Sequence, residues 1–134
     1  MLGEQIGESQ GSVTTQRVLS NPGGGPKMET SFQSTGSLLG VNSKETGTYT
    51  ALARPDGSLF GEGQGITMSQ DGDVLTWVGQ GVGTIGKDGA VSYRGAVYCQ
   101  SAAPRWARLN RLAVLFEYEV DAEGKTHSRF FEWK

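Results

Sequence analysis

Four turn pairs, each an acidic residue followed by glycine, divide the sequence into short runs of β-branched and aromatic residues. The pairs are Asp56-Gly57, Asp71-Gly72, Asp88-Gly89 and Glu123-Gly124. Such pairs tolerate the positive backbone φ angles of tight hairpin loops, and strand-like runs between them are typical of antiparallel all-β domains. The spacing therefore predicts a chain built from consecutive β-hairpins.

Eight candidate strands lie between these pairs and the other turn signals. They cover residues 12–19, 27–39, 46–54, 58–69, 74–86, 90–100, 113–121 and 126–133. The longest Gly/Pro stretch, NPGGGP, is too short for a domain linker, so residues 1–134 are interpreted as one domain. A sheet of eight strands has unpaired backbone groups at its two edge strands, and closing the sheet into a barrel pairs them. The sequence therefore predicts an eight-stranded antiparallel up-and-down barrel. The polarity and glycine content of the first ten or so residues predict loose attachment.

The segment SAAPRWARLNRLA does not resemble a strand. Ser101 can cap a helix, and Pro104 suits a first helical turn. Trp106, Leu109 and Leu112 then recur at helical spacing. The pattern predicts one short amphipathic helix between strands 6 and 7, lying over an end or a side of the barrel.

Composition and charge exclude several functional classes. Twelve basic residues against fourteen acidic ones leave a net charge of −2, which argues against nucleic-acid binding. The arginines Arg105, Arg108 and Arg111 are more typical of a solvated helix face than of a phosphate site. The sequence has no apolar run long enough to span a membrane and no signal-peptide pattern at its start, which predicts a cytoplasmic protein.

Cysteine and histidine are too rare for a disulfide or a metal site. Cys99 is the only cysteine and His127 the only histidine, so we expect no metal and no cofactor. We expect Cys99 to pack outside the barrel wall and His127 to be exposed or structural. GESQG at residues 7–11 matches a nucleophile elbow, and GVGTIG at 81–86 matches a dinucleotide fingerprint. Neither has the strand-to-helix context that its chemistry requires.

Strand registers follow from the turns if each Asp-Gly pair is a two-residue loop. One face of the four central strands then carries Ala51, Ile66, Met68, Leu75, Trp77 and Ala96, together with Tyr49, Glu62, Gln64, Arg94 and Tyr98. We expect this face to line the barrel, because the other face carries the threonines Thr48, Thr50, Thr67 and Thr76. A three-residue loop at Asp71-Gly72 would instead move every side chain of strand 5 to the other face.

The glycines of GEGQG and WVGQGVG alternate along strands 4 and 5. On the inner face they would leave room for large side chains, and they permit the coiling that a small barrel needs. The last hairpin adds apolar lining, with Val114, Phe116, Tyr118 and Val120 facing Phe131 and Trp133.

Polar groups that point into a barrel need partners, because burying them alone is unfavourable. One hypothesis is an internal network in which Glu62 and Arg94 form an ion pair. The other is a ligand cavity in which polar and aromatic groups orient a small amphipathic molecule. The candidate ligand-binding residues are Tyr49, Glu62, Gln64, Trp77, Arg94 and Tyr98.

Three segments carry a family resemblance: YRGAVYCQSAAPRWARLNRLAVLFEYEVDAEG, RPDGSLFGEGQG and WVGQGVG. Together they are similar to a family of small uncharacterised bacterial proteins, and the likeness runs from about Val18 onward. The resemblance implies a calycin-like, eight-stranded barrel similar to that of allene oxide cyclase. Allene oxide cyclases are isomerases that hold a fatty-acid epoxide in an apolar barrel cavity containing a carboxylate. Glu62 is the candidate counterpart of that carboxylate.

Three functional hypotheses remain open, and the sequence does not decide whether the protein is an enzyme. The first is a barrel that binds a small amphipathic or lipid-like molecule in its interior. The second is an isomerase or cyclase in which Glu62 is the catalytic acid or base and Arg94 or Tyr98 stabilises developing charge. The third is a homo-oligomeric interaction module that uses the threonine-rich outer face and exposed aromatics such as Phe130.

Overall fold

Every strand pairs with its neighbours in the chain, and the first strand pairs with the last to close a barrel. The computed structural model describes residues 2–134. The strands are β1 (Leu2–Leu19), β2 (Lys27–Leu38), β3 (Val41–Ala53), β4 (Leu59–Ser69), β5 (Val74–Ile85), β6 (Val91–Ser101), β7 (Ala113–Val120) and β8 (Lys125–Trp133). The predicted eight-stranded antiparallel barrel is confirmed.

Strand β1 begins ten residues earlier than predicted. Residues 7–12 pair with β2 on one side and with β8 on the other. The expectation of a loosely attached N-terminus is therefore wrong, because these residues close the barrel. Their side chains alternate between buried and exposed positions, as in a strand with one face inward.

The four turn pairs lie in three-residue loops rather than two-residue loops. In the β3–β4 turn, Arg54 and Ser58 form the last backbone pair, and Gly57 has a φ of 87°. Asp56 accepts a 2.9 Å hydrogen bond from the backbone N–H of Ser58, which stabilises the turn. A type I turn followed by a left-handed glycine has this geometry. The one two-residue loop joins β2 to β3 at residues 39–40, where both φ angles are positive.

The extra loop residue changes the strand registers by one. Thr67 lies opposite Leu75 and Gly65 opposite Trp77, whereas the two-residue loop predicted Met68 opposite Leu75. Because side chains alternate between faces, this error reverses the predicted faces of β4 and β6. Tyr49, Ala51, Leu75 and Trp77 face the interior as predicted, whereas Glu62, Gln64, Ile66, Met68, Arg94 and Tyr98 point outward. Ala96 is likewise outward and Thr67 inward.

Inward-facing glycines accommodate aromatic rings against the barrel wall. The Trp77 indole lies across Gly47 and Gly65, which are opposite each other on β3 and β4. A Cβ atom at Gly47 would lie 2.7 Å from the Phe32 ring and 2.9 Å from the indole. Gly83 leaves similar room for the ring of Tyr93. The glycine pattern thus makes room for bulky side chains, as the sequence predicted.

The segment between β6 and β7 closes one end of the barrel. It contains a single 3₁₀ helix, Ala107–Arg111, instead of an amphipathic α-helix. Trp106 and Leu109 are completely buried, and the Trp106 indole N–H donates a 3.1 Å hydrogen bond to the carbonyl of Leu38. Three-residue spacing of apolar side chains matches the 3₁₀ repeat. Ser101 Oγ accepts a hydrogen bond from the N–H of Ala103, so Ser101 stabilises the start of this segment.

Two apolar clusters fill the ends of the barrel. We call the first the plug cluster; its buried members are Ile6, Leu75, Val97, Ala103, Trp106, Leu109 and Val114. We call the second the aromatic cluster; it consists of Phe32, Tyr49, Tyr93 and Tyr118 with Leu59 beside them. Within residues 2–134, no helix is long and apolar enough to cross a membrane.

Candidate functional site

A cavity of about 100 Å³ lies inside the barrel, in contact with both clusters. Its walls are mostly apolar, and the main contributors are Leu75, Trp77, Val97, Val114, Phe116 and Phe130. The inward-facing polar side chains that line it are Ser9, Ser34, Ser43, Glu45, Thr67 and Ser128, and outward-facing residues such as Glu62 and Gln80 also border it. An apolar space with a few inward polar groups is the usual composition of a small-molecule site.

Glu45 is the buried carboxyl of this cavity. It shares the inward face of β3 with Tyr49, while Lys44 and Thr46 point outward. Only 9% of Glu45 is exposed, and Ser34 Oγ donates a 3.1 Å hydrogen bond to its Oε1 atom. Among residues 2–134, no cation forms a salt bridge with it.

Burial raises the pKa of Glu45 above its usual range. The Ser34 hydrogen bond and the nearby Trp77 indole lower this pKa in part, but desolvation is the largest influence. The environment of the cavity therefore favours the neutral acid, which can donate a hydrogen bond as well as accept one.

Two other polar atoms in the cavity wall have no hydrogen-bond partner among the described residues. They are Ser9 Oγ and Trp77 Nε1. The indole is near enough to influence Glu45 but does not complete a hydrogen bond with it. Buried donors and acceptors are nearly always satisfied in folded proteins, so unpartnered ones indicate a water or ligand position.

Cys99 faces the cavity, and the prediction that it packs outside the wall is wrong. Burial is the largest cause that raises the pKa of its thiol to about 12. A thiol with such a pKa stays protonated at neutral pH and is a poor nucleophile. Cys99 therefore contributes a small, uncharged surface to the site.

The aromatic cluster bounds the cavity on the side away from the plug. The hydroxyls of Tyr49 and Tyr118 are 3.4 Å apart and share a hydrogen bond, and the Phe32 and Tyr118 ring centroids are 5.4 Å apart. Burial raises the pKa of Tyr49, Tyr93 and Tyr118, so all three remain neutral phenols. These rings form an uncharged wall with hydroxyl groups at its edge.

Three of the six predicted ligand-binding residues border the interior cavity: Tyr49 and Trp77 face it, and Glu62 borders it although its side chain points outward from β4. Gln64 and Tyr98 instead border an outer groove of about 510 Å³ that also includes Glu62. Arg94 forms no ion pair with Glu62; its Nε atom lies 3.4 Å from a carboxylate oxygen of Glu117. The predicted ion pair between Glu62 and Arg94 does not form among the described residues, and Glu62 points outward rather than inward, because the registers are offset by one residue. A catalytic role for Glu62 stays a prediction.

The last hairpin corrects one further expectation, and His127 remains compatible with the structural role expected of it. Phe130, not Phe131, lies opposite Phe116, so Phe130 lines the cavity and offers no exposed aromatic surface. His127 is half-buried on the outer side, where its Nε2 atom is 2.5 Å from a carboxylate oxygen of Glu8.

Neither rejected motif forms a catalytic or nucleotide site. Ser9 lies within β1 and faces inward, whereas His127 points outward from β8, so the elbow motif brings no base to the serine. GVGTIG runs along β5 into a hairpin loop. No group of three metal-ligating side chains is present in residues 2–134.

Sequence reasoning missed Glu45, Ser34 and Ser9. Strand 3 was predicted to begin at residue 46, and β1 at residue 12, so Glu45 and Ser9 were left outside the sheet. Extending strand 3 by one residue would have included Glu45, which lies four residues before the inward Tyr49 and therefore on the same face. The alternation of side chains along strand 3 was therefore the sequence signal that could have identified Glu45.

Comparison with known proteins identifies fold relatives only. No family model and no curated protein matches the chain. Three solved bacterial structures each superimpose with a TM-score of 0.83. A protein of unknown function from Clostridium acetobutylicum is 14% identical, and 98% of each chain is covered. A conserved protein of unknown function from Rhodopseudomonas palustris is 11% identical, with 98% of this chain and 97% of that chain covered.

The third structure is a β-barrel-like protein from Acinetobacter baumannii AYE. It is 8% identical, and the alignment covers 100% of this chain and 96% of that chain. At such identities the likeness concerns the fold and carries no function. The chain therefore has the eight-stranded barrel fold of a group of small, uncharacterised bacterial proteins.

Proposed function

We propose that this protein binds a small uncharged molecule, with one carbonyl or hydroxyl oxygen, inside the barrel beside Glu45. The observation that carries the proposal is the combination of a buried carboxyl with two unpartnered polar atoms at one apolar cavity. The unpartnered atoms are Ser9 Oγ and Trp77 Nε1. A ligand oxygen at this position would satisfy groups that otherwise remain without partners.

The hydrogen-bonding groups define the chemistry of the ligand. The neutral form of Glu45, which burial favours, is a donor like the Trp77 indole, so both suit an acceptor oxygen. A ligand carboxylate would enter a cavity without a compensating cation among the described residues. An ammonium group would require ionised Glu45, against the direction in which burial moves its pKa. An uncharged oxygen compound therefore fits best.

The size of the cavity limits the apolar part of the ligand. Its volume is about 100 Å³, whereas an engineered cavity of about 150 Å³ is known to hold benzene. A small ring or a short branched chain is thus the appropriate size. This narrows the sequence-based expectation, because a long acyl chain would require the walls to move.

Thermal unfolding with cyclopentanone and cyclopentane as matched probes tests the proposal. At ten times its dissociation constant, a ligand specific for the native state adds about 1.4 kcal/mol, or about 4 °C in Tm. We expect this shift with cyclopentanone, a smaller one with cyclopentane, and loss of the difference in Glu45→Leu. Glu123→Gln, which changes an exposed carboxyl in the β7–β8 turn, should behave as wild type. Equal shifts for the two probes in wild type would refute the oxygen-directed site.

A second candidate function is proton-transfer catalysis on the bound molecule. The neutral state favoured for Glu45 is what a general acid requires, and no cation among the described residues opposes it. Isomerisation of cyclopentene oxide to cyclopentanone, measured by gas chromatography, tests this. Wild type should accelerate the reaction, Glu45→Gln should not, and Glu123→Gln should match wild type. Equal rates for wild type and Glu45→Gln would exclude this role.

A further inference from the structure

The outer surfaces of three adjacent strands carry an unusual share of exposed apolar side chains. We call this surface the β5 face and define it as the outward side chains of β4, β5 and β6. Of ten exposed large hydrophobic residues in the described chain, seven belong to these strands: Ile66, Met68, Val74, Val78, Val82, Ile85 and Tyr98. Concentrated exposed apolar area is typical of an interaction surface.

The centre of the β5 face has no charge. Strand β5 contains no charged residue, and its outward positions alternate valine with threonine or glutamine. Val78 is 57% exposed and lies between Gln64 and Tyr98 on the neighbouring strands. Other parts of the barrel surface carry ion pairs, such as Glu8 with His127. Depletion of charge at the centre and aromatic enrichment distinguish protein interfaces from ordinary surface.

The two charges on this face are arranged for self-association. Glu62 on β4 and Arg94 on β6 lie on opposite sides of β5, level with Gln80 and Val82 respectively. A two-fold axis parallel to β5 would superpose β4 of one copy on β6 of the other. Glu62 would then approach Arg94 of the partner subunit, and this contact would occur twice.

The contacts that Glu62 and Arg94 make within one chain leave both able to contact a second copy. Glu62 accepts a 3.3 Å hydrogen bond from Gln80 and has no salt bridge within residues 2–134. The Arg94 side chain is 55% exposed, although it also approaches Glu117. Both groups are therefore accessible to a second copy.

The β5 face has the dimensions of a small dimer interface. Its three strands, about 4.8 Å apart and eleven residues long, project an area of about 500 Å². Interfaces at the low end of the size range bury less than about 600 Å² per partner, and standard ones about 800 Å². The outer groove bordered by Gln64 and Tyr98 makes this side of the barrel less curved. A protein that packs against it can therefore contact more than one strand.

We infer that the β5 face joins two copies of this chain in a two-fold symmetric dimer. Val78 lies at its centre, and Glu62 pairs with Arg94 of the partner subunit at two symmetry-related positions. The inference uses the outer surface alone and is independent of the interior binding site.

Size-exclusion chromatography with light scattering, over a concentration series of the full chain, tests this directly. Wild type should have twice the 14.3 kDa mass of one chain. Val78→Asp should raise the dimer dissociation constant by at least about 100-fold, since it buries an unpaired charge. Val18→Asp is the matched control, because Val18 is 77% exposed but lies outside the β5 face. It should leave the dimer intact.

A charge exchange tests the symmetry of the contact. Glu62→Arg and Arg94→Glu should each weaken the dimer, and the double variant should recover most of the affinity. Circular dichroism confirms that each variant is folded. A wild-type monomer at every concentration would overturn the inference and assign the face to a different protein. A dimer that Val78→Asp leaves intact would also overturn it, as would a double variant weaker than both single ones.

Discussion

Replacing Glu45 by glutamine should change the pH dependence of stability more than stability itself. Glutamine keeps the shape of the side chain and an oxygen that can accept the Ser34 hydrogen bond. At pH values where both proteins carry a neutral side chain, we therefore expect a difference of no more than about 1 kcal/mol. The difference should grow as the pH rises.

The sign follows from the direction of the pKa shift. Burial raises the pKa of Glu45 in the folded protein above its ordinary value of 4.5. The native state therefore holds a proton that the unfolded chain releases, so its contribution to stability is lost as the pH rises. Between the ordinary and the raised pKa, wild type should lose about 1.4 kcal/mol per pH unit relative to Glu45→Gln.

Urea unfolding at several pH values from about 5 to 7 measures this difference. The dependence of the unfolding free energy on urea concentration should be the same for both proteins, which shows that the two unfold in the same way. Glu123→Gln is the control, since Glu123 is an exposed carboxyl in the β7–β8 turn. Its stability should stay within about 0.5 kcal/mol of wild type at each pH. Parallel stability curves for wild type and Glu45→Gln would show that Glu45 is ionised in the barrel, and the reasoning would fail.

Three other experiments test the plug cluster, the contact of Gly47 with two aromatic rings, and the burial of the Cys99 thiol. Trp106→Ala should destabilise the fold by about 3–5 kcal/mol in urea, because Trp106 is completely buried. As a control, replacement of the exposed Arg111 by alanine should change stability by no more than about 0.5 kcal/mol. If Trp106→Ala and Arg111→Ala lost similar amounts of stability, the plug cluster would not stabilise the fold. Gly47→Ala should cost about 1–3 kcal/mol in the same assay, because the added methyl overlaps two aromatic rings; a neutral result would contradict that contact. Cys99, whose pKa is raised to about 12, should react with iodoacetamide at pH about 8 far more slowly than in urea. If Cys99 reacted equally fast in the folded protein and in urea, its thiol would be exposed and ionised in the fold, which would contradict its burial.

The fold was predictable because the turn signals are local. A glycine that follows an acidic residue between two β-branched runs identifies a hairpin whatever its exact loop length. The three-residue spacing of Trp106 and Leu109 likewise identified the segment that closes the barrel, although it forms a 3₁₀ helix.

The interior of the site was less predictable, because strand faces depend on loop length. A type I turn with a left-handed glycine and a two-residue type I′ turn use similar residues but differ by one position in register. That difference moved Glu62 and Arg94 outward. Glu45 was missed for a separate reason: its strand begins earlier than the polar neighbours Ser43 and Lys44 suggested.

The three tryptophan indole N–H groups provide the most direct test of an oxygen-binding interior site. Trp77 Nε1 lies in the cavity wall without a partner, Trp106 Nε1 is bonded to Leu38, and Trp133 is 58% exposed. In a ¹H–¹⁵N NMR titration with cyclopentanone, the Trp77 indole resonance should shift saturably downfield, as expected for a new hydrogen bond. The Trp133 resonance should remain unchanged. A Trp77 resonance that does not move, or that moves only in parallel with Trp133, would contradict ligand binding beside Glu45.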